Sequence, residues 1–216
     1  MIVVVASIKG GTGKTTISTN LAIIRAQNSS DVLLVDADSQ RSASDFASVR
    51  ELEGHAPEIT SITITGRSAG AELRRFIPKF DDIIVDVGGR DSSTLRSVLL
   101  VADVLVIPFL PSQYDAWALE HMNALIGDVK TLNEKIRAIS FINKLDTNPK
   151  IDLSNEATVH ASEFENITFS NITIGYRVAF RRSVADGLAV TELKSKKDPK
   201  AISEIKKLYG EVFKDA

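Results

Sequence analysis

Short runs rich in Val and Ile recur along the chain at Ile2–Ala6, Val32–Val35, Ile59–Ile64, Ile83–Val87, Val104–Ile107 and Ile136–Ile142. Apolar residues at neighbouring positions point to both faces of a strand, so such runs predict strands covered on both sides. Between them lie segments of helical period at Lys14–Gln27, Ser42–Leu52, Ala69–Phe76, Thr94–Val101, Ala116–Leu132 and Ser154–Phe164. Ile172–Ile174 adds a shorter candidate strand. This alternation predicts βαβ units in an α/β fold: a doubly wound, mainly parallel sheet with helices on both faces. No internal repeat or low-complexity linker divides the chain, so residues 1–216 read as a single domain. Asp198-Pro199 has the form of an N-cap followed by proline at the first helical position. Beyond it Ile202, Ile205, Leu208, Tyr209, Val212 and Phe213 share one face, which predicts a closing amphipathic helix over 199–214.

Composition narrows the chemistry. Of the 216 residues 44% are hydrophobic and 25% charged, enough to bury a sizeable core. There is no Cys, which excludes disulfide scaffolds, zinc ribbons, iron–sulfur clusters and cysteine nucleophiles. The three His residues are scattered, so no histidine metal site is expected. The N-terminal apolar run lacks a basic leader, and the greasiest stretch, Ser97–Leu110, is broken by Asp103 and Pro108 and is too short to span a bilayer. A soluble, cytoplasmic protein is the expectation.

The strongest motif is Lys9-Gly10-Gly11-Thr12-Gly13-Lys14-Thr15-Thr16, between the first strand and the first helix. Glycines let the backbone close around a polyphosphate, and the helix N-terminus aims unpaired N–H groups at its charge. In such a phosphate loop Lys14 reaches the β- and γ-phosphates and the Thr15 hydroxyl ligates Mg²⁺. Val35-Asp36-Ala37-Asp38-Ser39-Gln40 places two carboxylates at the C-terminal end of the second strand, the edge where α/β folds bind ligands. Asp82-Ile83-Ile84-Val85-Asp86-Val87-Gly88-Gly89 has the strand-then-Asp form in which the carboxylate of Asp86 holds Mg²⁺ through water. Asn143-Lys144-Leu145-Asp146 matches the short guanine-reading pattern of GTPases.

The loop departs from the generic phosphate-loop pattern, with Ile8 where a glycine is usual and Lys9 before the two glycines. In this it resembles the deviant Walker A loop of the ParA/MinD family of ATPases, and the whole chain resembles the small ParA-type partition ATPases, a group that includes the McdA-like cargo-positioning branch. The resemblance implies a phosphate-loop NTPase fold, ATP and Mg²⁺ as cofactors, and a homodimer in which Lys9 acts on the partner's nucleotide. Asp38 would orient or activate the attacking water, and Asp36 and Asp38 would support the metal shell, although Ser39 stands where the family has proline. A strand-end Asp36 that caps the next helix is the alternative. Asn143 would contact the base, with ATP favoured over GTP, and Asp146 would be a turn residue. Gly88-Gly89 replaces the prolines of many relatives, which suggests a mobile switch.

Charge is uneven. From Thr173 to Asp215 there are ten Lys or Arg and six Asp or Glu, so this part is about +4 and the remainder about −6. Arg177, Arg181, Arg182, Lys194, Lys196 and Lys197 are the candidate contacts to nonspecific DNA, through its phosphates. The resemblance implies a nucleoid-associated dimer whose hydrolysis is stimulated by a cargo-bound adaptor, ParB-like or McdB-like. It also implies that the chain, beginning at its first strand, lacks an added N-terminal DNA-binding domain. Two alternatives remain: a GTPase of the metallochaperone or targeting type, and a MinD-like ATPase anchored to a membrane surface by its last helix. Membrane binding is disfavoured because that helix has the apolar width of an ordinary core-packing helix.

Overall fold

The computed structural model describes residues 1–28, 30–89, 92–146, 159 and 161–215. Seven strands form one parallel sheet: β1 (Ile2–Val5), β2 (Val32–Ala37), β3 (Thr60–Thr63), β4 (Asp82–Val87), β5 (Val104–Phe109), β6 (Arg137–Leu145) and β7 (Thr168–Gly175), in the order β3-β2-β4-β1-β5-β6-β7. The helices that lie wholly within the described residues are α1 (Lys14–Gln27), α2 (Ser42–Leu52), α3 (Ala69–Leu73), α4 (Ser92–Leu99), α5 (Gln113–Lys130), α6 (Val178–Ala185) and α7 (Pro199–Val212). A short 3₁₀ turn at Val190–Glu192 joins the last two.

Alternation along the central strands explains the two layers. Ile2 and Val4 of β1 belong to the core on one face, and Val3 and Val5 to the core on the other. In β4 Ile83, Val85 and Val87 face one layer while Ile84 faces the other. Such strands are buried on both sides, so their apolar runs are continuous. Edge strands follow a different rule: the residues of β3 are exposed or half-buried, and β7 is mixed polar and apolar over Thr168–Gly175. The expectation of a strand at Ile172–Ile174 therefore caught only the apolar end of β7.

The remaining differences from expectation lie mostly at element ends. β2 runs two residues further than its apolar run, which places Asp36 inside the strand. β6 continues to Leu145 and carries Asn143 and Lys144. α5 begins three residues early because Ser112 caps it, its hydroxyl accepting from Asp115 N. The helix expected at Ser154–Phe164 falls largely outside the described residues. The closing helix is present: Asp198 accepts from the N–H groups of Lys200 and Ala201, and Ala201, Ile205, Leu208 and Val212 are buried. Its apolar stripe is spent on the core. Among the described residues no helix is long and apolar enough to cross a membrane.

β1 sits where the strand order reverses, with β4 on one side and β5 on the other. Loops at the C-terminal edge diverge there and leave a crevice. The chain leaving β1 enters that crevice as the Lys9–Thr16 loop.

Candidate functional site

The loop wraps an open cavity of about 790 Å³, lined by Gly10, Gly11, Lys14, Thr15, Asp38 and Gly88 among others. Gly13 caps α1 with φ +93°, and a Cβ there would stand 2.5 Å from Asn143 Nδ2. Glycine is therefore demanded twice, by backbone conformation and by space. From the end of β6, Asn143 Nδ2 donates to Thr12 O at 2.7 Å and Lys144 Nζ to Gly11 O at 2.6 Å. Two consecutive side chains thus hold two consecutive carbonyls of the loop, and Lys144 adopts φ +53° to do so. Drawing those carbonyls outward is consistent with loop N–H groups facing an anion.

Lys14 is 8% exposed, and its ammonium donates to Lys9 O at 3.1 Å. Burial lowers its pKa from the ordinary lysine value, opposed by the charges of Asp86 and Asp38. Asp86 is buried, and accepts from Thr15 Oγ1 at 2.6 Å and Ser18 Oγ at 3.1 Å. Desolvation pushes its carboxyl up to about 6, against the pull of the two hydroxyls. A threonine hydroxyl beside a buried carboxylate, facing a phosphate cavity, is a hard-oxygen donor pair suited to Mg²⁺, which takes one or two protein oxygens and completes its shell with phosphate and water. Ser18 was missed in the sequence, although one helical turn beyond Thr15 puts it on the same face of α1.

Asp38 is half-buried at the cavity wall; its Oδ1 accepts from Gln40 N at 3.0 Å. Asp36, expected to support the metal shell, is fully buried and does not line the cavity. Its oxygens accept from Asp38 N at 3.1 Å and Ser44 N at 2.7 Å, so it ties the end of β2 to the first turn of α2. The alternative reading, a strand-end helix cap, describes its place.

Lys9 turns away from the phosphate cavity of its own chain. Its ammonium pairs with the buried carboxylate of Asp115 and lies 5.8 Å from the Tyr114 ring. Asp115 is held in turn by the Ser112 hydroxyl and by Leu110 N at 3.1 Å. Nothing in the local sequence marks Asp115 as the partner of a lysine 106 residues away.

A second cavity of about 270 Å³ adjoins the loop, lined by Gly13, Thr16, Asn143, Tyr176, Phe180 and Arg181 among others. A flat base attached to a phosphate-bound nucleotide would have apolar and aromatic walls there. Asn143 lines this space with one of its two amide N–H donors committed to the loop. Asp146 is exposed.

The basic residues divide. Arg177, one of the expected DNA contacts, is paired within the chain: it forks onto Glu204 (Nε–Oε2 2.9 Å, Nη2–Oε1 2.6 Å) and lies 3.7 Å from Asp198. The hydrogen bonds to Glu204 raise its pKa. Arg181 stacks on the Tyr176 ring at 5.3 Å. Arg182, Lys194, Lys196 and Lys197 are exposed. Arg182, Lys196 and Lys197 share one groove, and Lys197 with Lys206 and Lys207 lines a second along α7.

A family profile described as the CobQ/CobB/MinD/ParA nucleotide binding domain matches residues 3–190. The maintenance of carboxysome distribution protein A of Halothiobacillus neapolitanus is 27% identical over 210 residues, covering 97% of this chain and 94% of that protein. The ATP complex of a Cyanothece McdA variant superimposes with a TM-score of 0.75 at 18% identity, over 99% of this chain and 96% of that one. The MinD of Pyrococcus horikoshii complexed with Mg-ADP gives 0.69 at 20% identity, over 98% and 95%. At these identities the two structures establish the fold.

Proposed function

The chain belongs to the CobQ/CobB/MinD/ParA nucleotide-binding family, and from that we propose that it is a ParA-type ATPase that positions or segregates cargo on DNA. The observation that carries the reading is the meeting of Lys14, Thr15 and Asp38 around one cavity at the sheet's switch point, with Asp86 bonded to Thr15 behind its wall and Lys9 held just outside it. Lys14 and the loop N–H groups bind the phosphates. Thr15 and Asp86 would hold Mg²⁺, which would supply neutralisation of the phosphate charge. Asp38 orients the attacking water, and the base lies against Tyr176 and Phe180 in the adjoining cavity.

In this reading two chains face each other and Lys9 crosses to the partner's nucleotide, where it stabilises charge on the transferring phosphate. To do so it must leave Asp115. The dimer presents Arg181, Arg182, Lys194, Lys196 and Lys197 twice, as a sequence-independent contact to DNA phosphates. A cargo-bound adaptor stimulates hydrolysis and releases the dimer from the nucleoid. The similarity to a carboxysome distribution protein favours a protein body as cargo.

Binding to random-sequence duplex DNA with ATP, ADP, GTP or no nucleotide, across a salt series, tests this. Affinity that appears with ATP and falls steeply with salt is the expected result. GTP supporting binding as well as ATP would return the guanine reading of Asn143 to Asp146. No DNA binding with any nucleotide would remove the partition reading.

A further inference from the structure

Gly88 and Gly89 follow β4 directly, and neither takes the left-handed backbone region that favours glycine. Space accounts for both, but the two are crowded by different things. A Cβ on Gly89 would meet fixed backbone, 2.8 Å from Ile8 O and 3.0 Å from Ser7 O, where the chain enters the phosphate loop. A Cβ on Gly88 would have the Asp38 carboxylate as its three nearest atoms, 2.6 Å from Cγ, 2.7 Å from Oδ1 and 2.9 Å from Oδ2. That carboxylate lies in a slot with Gly88 on one side and the Gln40 N–H, donating to Oδ1, on another.

We propose that Gly88 is a positioning residue for Asp38: the missing side chain is the space in which the water-orienting carboxylate is seated beside the phosphate cavity. A methyl group at this position would be accommodated by swinging Asp38 about its own side-chain bonds, away from Gln40. A flexible side chain yields cheaply where backbone does not, so the fold tolerates the change and the cost falls on turnover. This also gives Gly88 a reason to be glycine that switch mobility alone does not supply. The inference rests on the reading of Asp38 as the group that orients water.

The test compares Gly88→Ala, Gly89→Ala, Asp38→Ala and the Gly88→Ala/Asp38→Ala double variant with the parent, by ATP affinity, single-turnover hydrolysis and thermal melting. Gly88→Ala is expected to lower hydrolysis between about tenfold and a hundredfold, as misplacement of a reacting group by an ångström does. Its ATP affinity should stay within about threefold of the parent's, the split expected when an interaction made only in the transition state is lost. Gly89→Ala, which displaces the loop itself, is expected to lose both affinity and melting temperature. Parental turnover in Gly88→Ala overturns the proposal, as does a loss of ATP affinity matching that of Gly89→Ala. Should Gly88→Ala not fold, the double variant is still expected to fold, because the colliding carboxylate is gone, and its failure would overturn the proposal. Parental turnover in Asp38→Ala would remove the reading of Asp38 itself, and positioning by Gly88 with it.

Discussion

The phosphate-loop corner and the C-terminal layer of α6, the 3₁₀ turn and α7 treat their charges in opposite ways. In the C-terminal layer, buried or half-buried charge finds its opposite. Arg177 forks onto Glu204, and Arg50, 2% exposed, forks onto Glu192 while donating also to the carbonyls of Pro57 and Gly187. At the loop corner Asp86 is as buried, yet among the described residues it is met at hydrogen-bonding distance by two hydroxyls and by no cation, and its carboxyl is pushed up to about 6. Lys14 is likewise held with its pKa lowered. One region is neutralised by the chain itself. The other keeps charges that become fully satisfied when a ligand arrives, which is how sites store stability that their ligands release.

Removing a charge from the loop corner should break this comparison most visibly. Lys14→Gln is expected to abolish nucleotide binding, by at least about a hundredfold, in a fluorescent-nucleotide titration. A folded protein that still bound ATP would mean the loop N–H groups alone carry the phosphates.

Asp86→Asn should separate function from stability. The folded pKa of Asp86 lies above its unfolded value, so the folded state binds the proton more tightly and ionised Asp86 costs stability above about pH 6. That cost is about 3 kcal/mol at neutral pH, and it fades as pH falls through 6 toward the ordinary carboxylate value. Without nucleotide, Asp86→Asn is therefore expected to melt several degrees above the parent at pH 7.5 and close to it near pH 4. With Mg²⁺ and ATP the order should reverse, because the variant loses the metal ligand. A variant less stable than the parent at pH 7.5 would show that the hydroxyl bonds to the carboxylate outweigh its burial.

The C-terminal basic residues sharpen the contrast, since in sequence they are alike. Arg177→Ala is expected to cost about 2 kcal/mol of stability by leaving Glu204 with the Gly175 N–H but no cation, with the salt dependence of DNA binding unchanged. Lys197→Glu combined with Lys206→Glu should leave melting and ATP hydrolysis as they are. It should weaken DNA binding and reduce the steepness of its salt dependence by about one for each lysine in contact. Equal losses of DNA affinity from both changes would make Arg177 a contact despite its ion pair.

What could be read in advance follows the same division. The two-sided burial of β1, β4 and β5 writes itself as apolar runs, and the phosphate loop and Asp86 are local patterns whose chemistry requires their spacing. β3 and β7 lie at sheet edges, where no such run is needed, so β7 was seen only at Ile172–Ile174. Arg177 differs from Arg181 and Arg182 through Glu204, 27 residues on, and no spacing rule distinguishes it. Asn143 and Lys144 were visible as a motif, yet the same two side chains serve a loop brace as well as a base reader. Asp36 and Asp38, two residues apart, diverge because β2 ends at Ala37: Asp36 stays in the strand with its carboxylate on Ser44 N, and Asp38 lies in the turn beyond.

Lys9 is where the two regimes meet, a loop lysine that the chain neutralises for itself through Asp115. The pair is partly exposed on the lysine side, so it is worth at most about 1 kcal/mol. If dimer formation spends that amount to free Lys9, Asp115→Asn should lower the ATP concentration needed for half-maximal dimerisation by about threefold to fivefold, the equivalent of 1 kcal/mol or less. Sedimentation velocity across an ATP series measures it. A higher ATP requirement in Asp115→Asn would give the opposite meaning to the same contact: Asp115 would then aim Lys9 toward the partner, and the aromatic Tyr114 beside it would be part of that guide. The effect is the smallest considered, but its sign alone separates a charge held in reserve from one already placed for use.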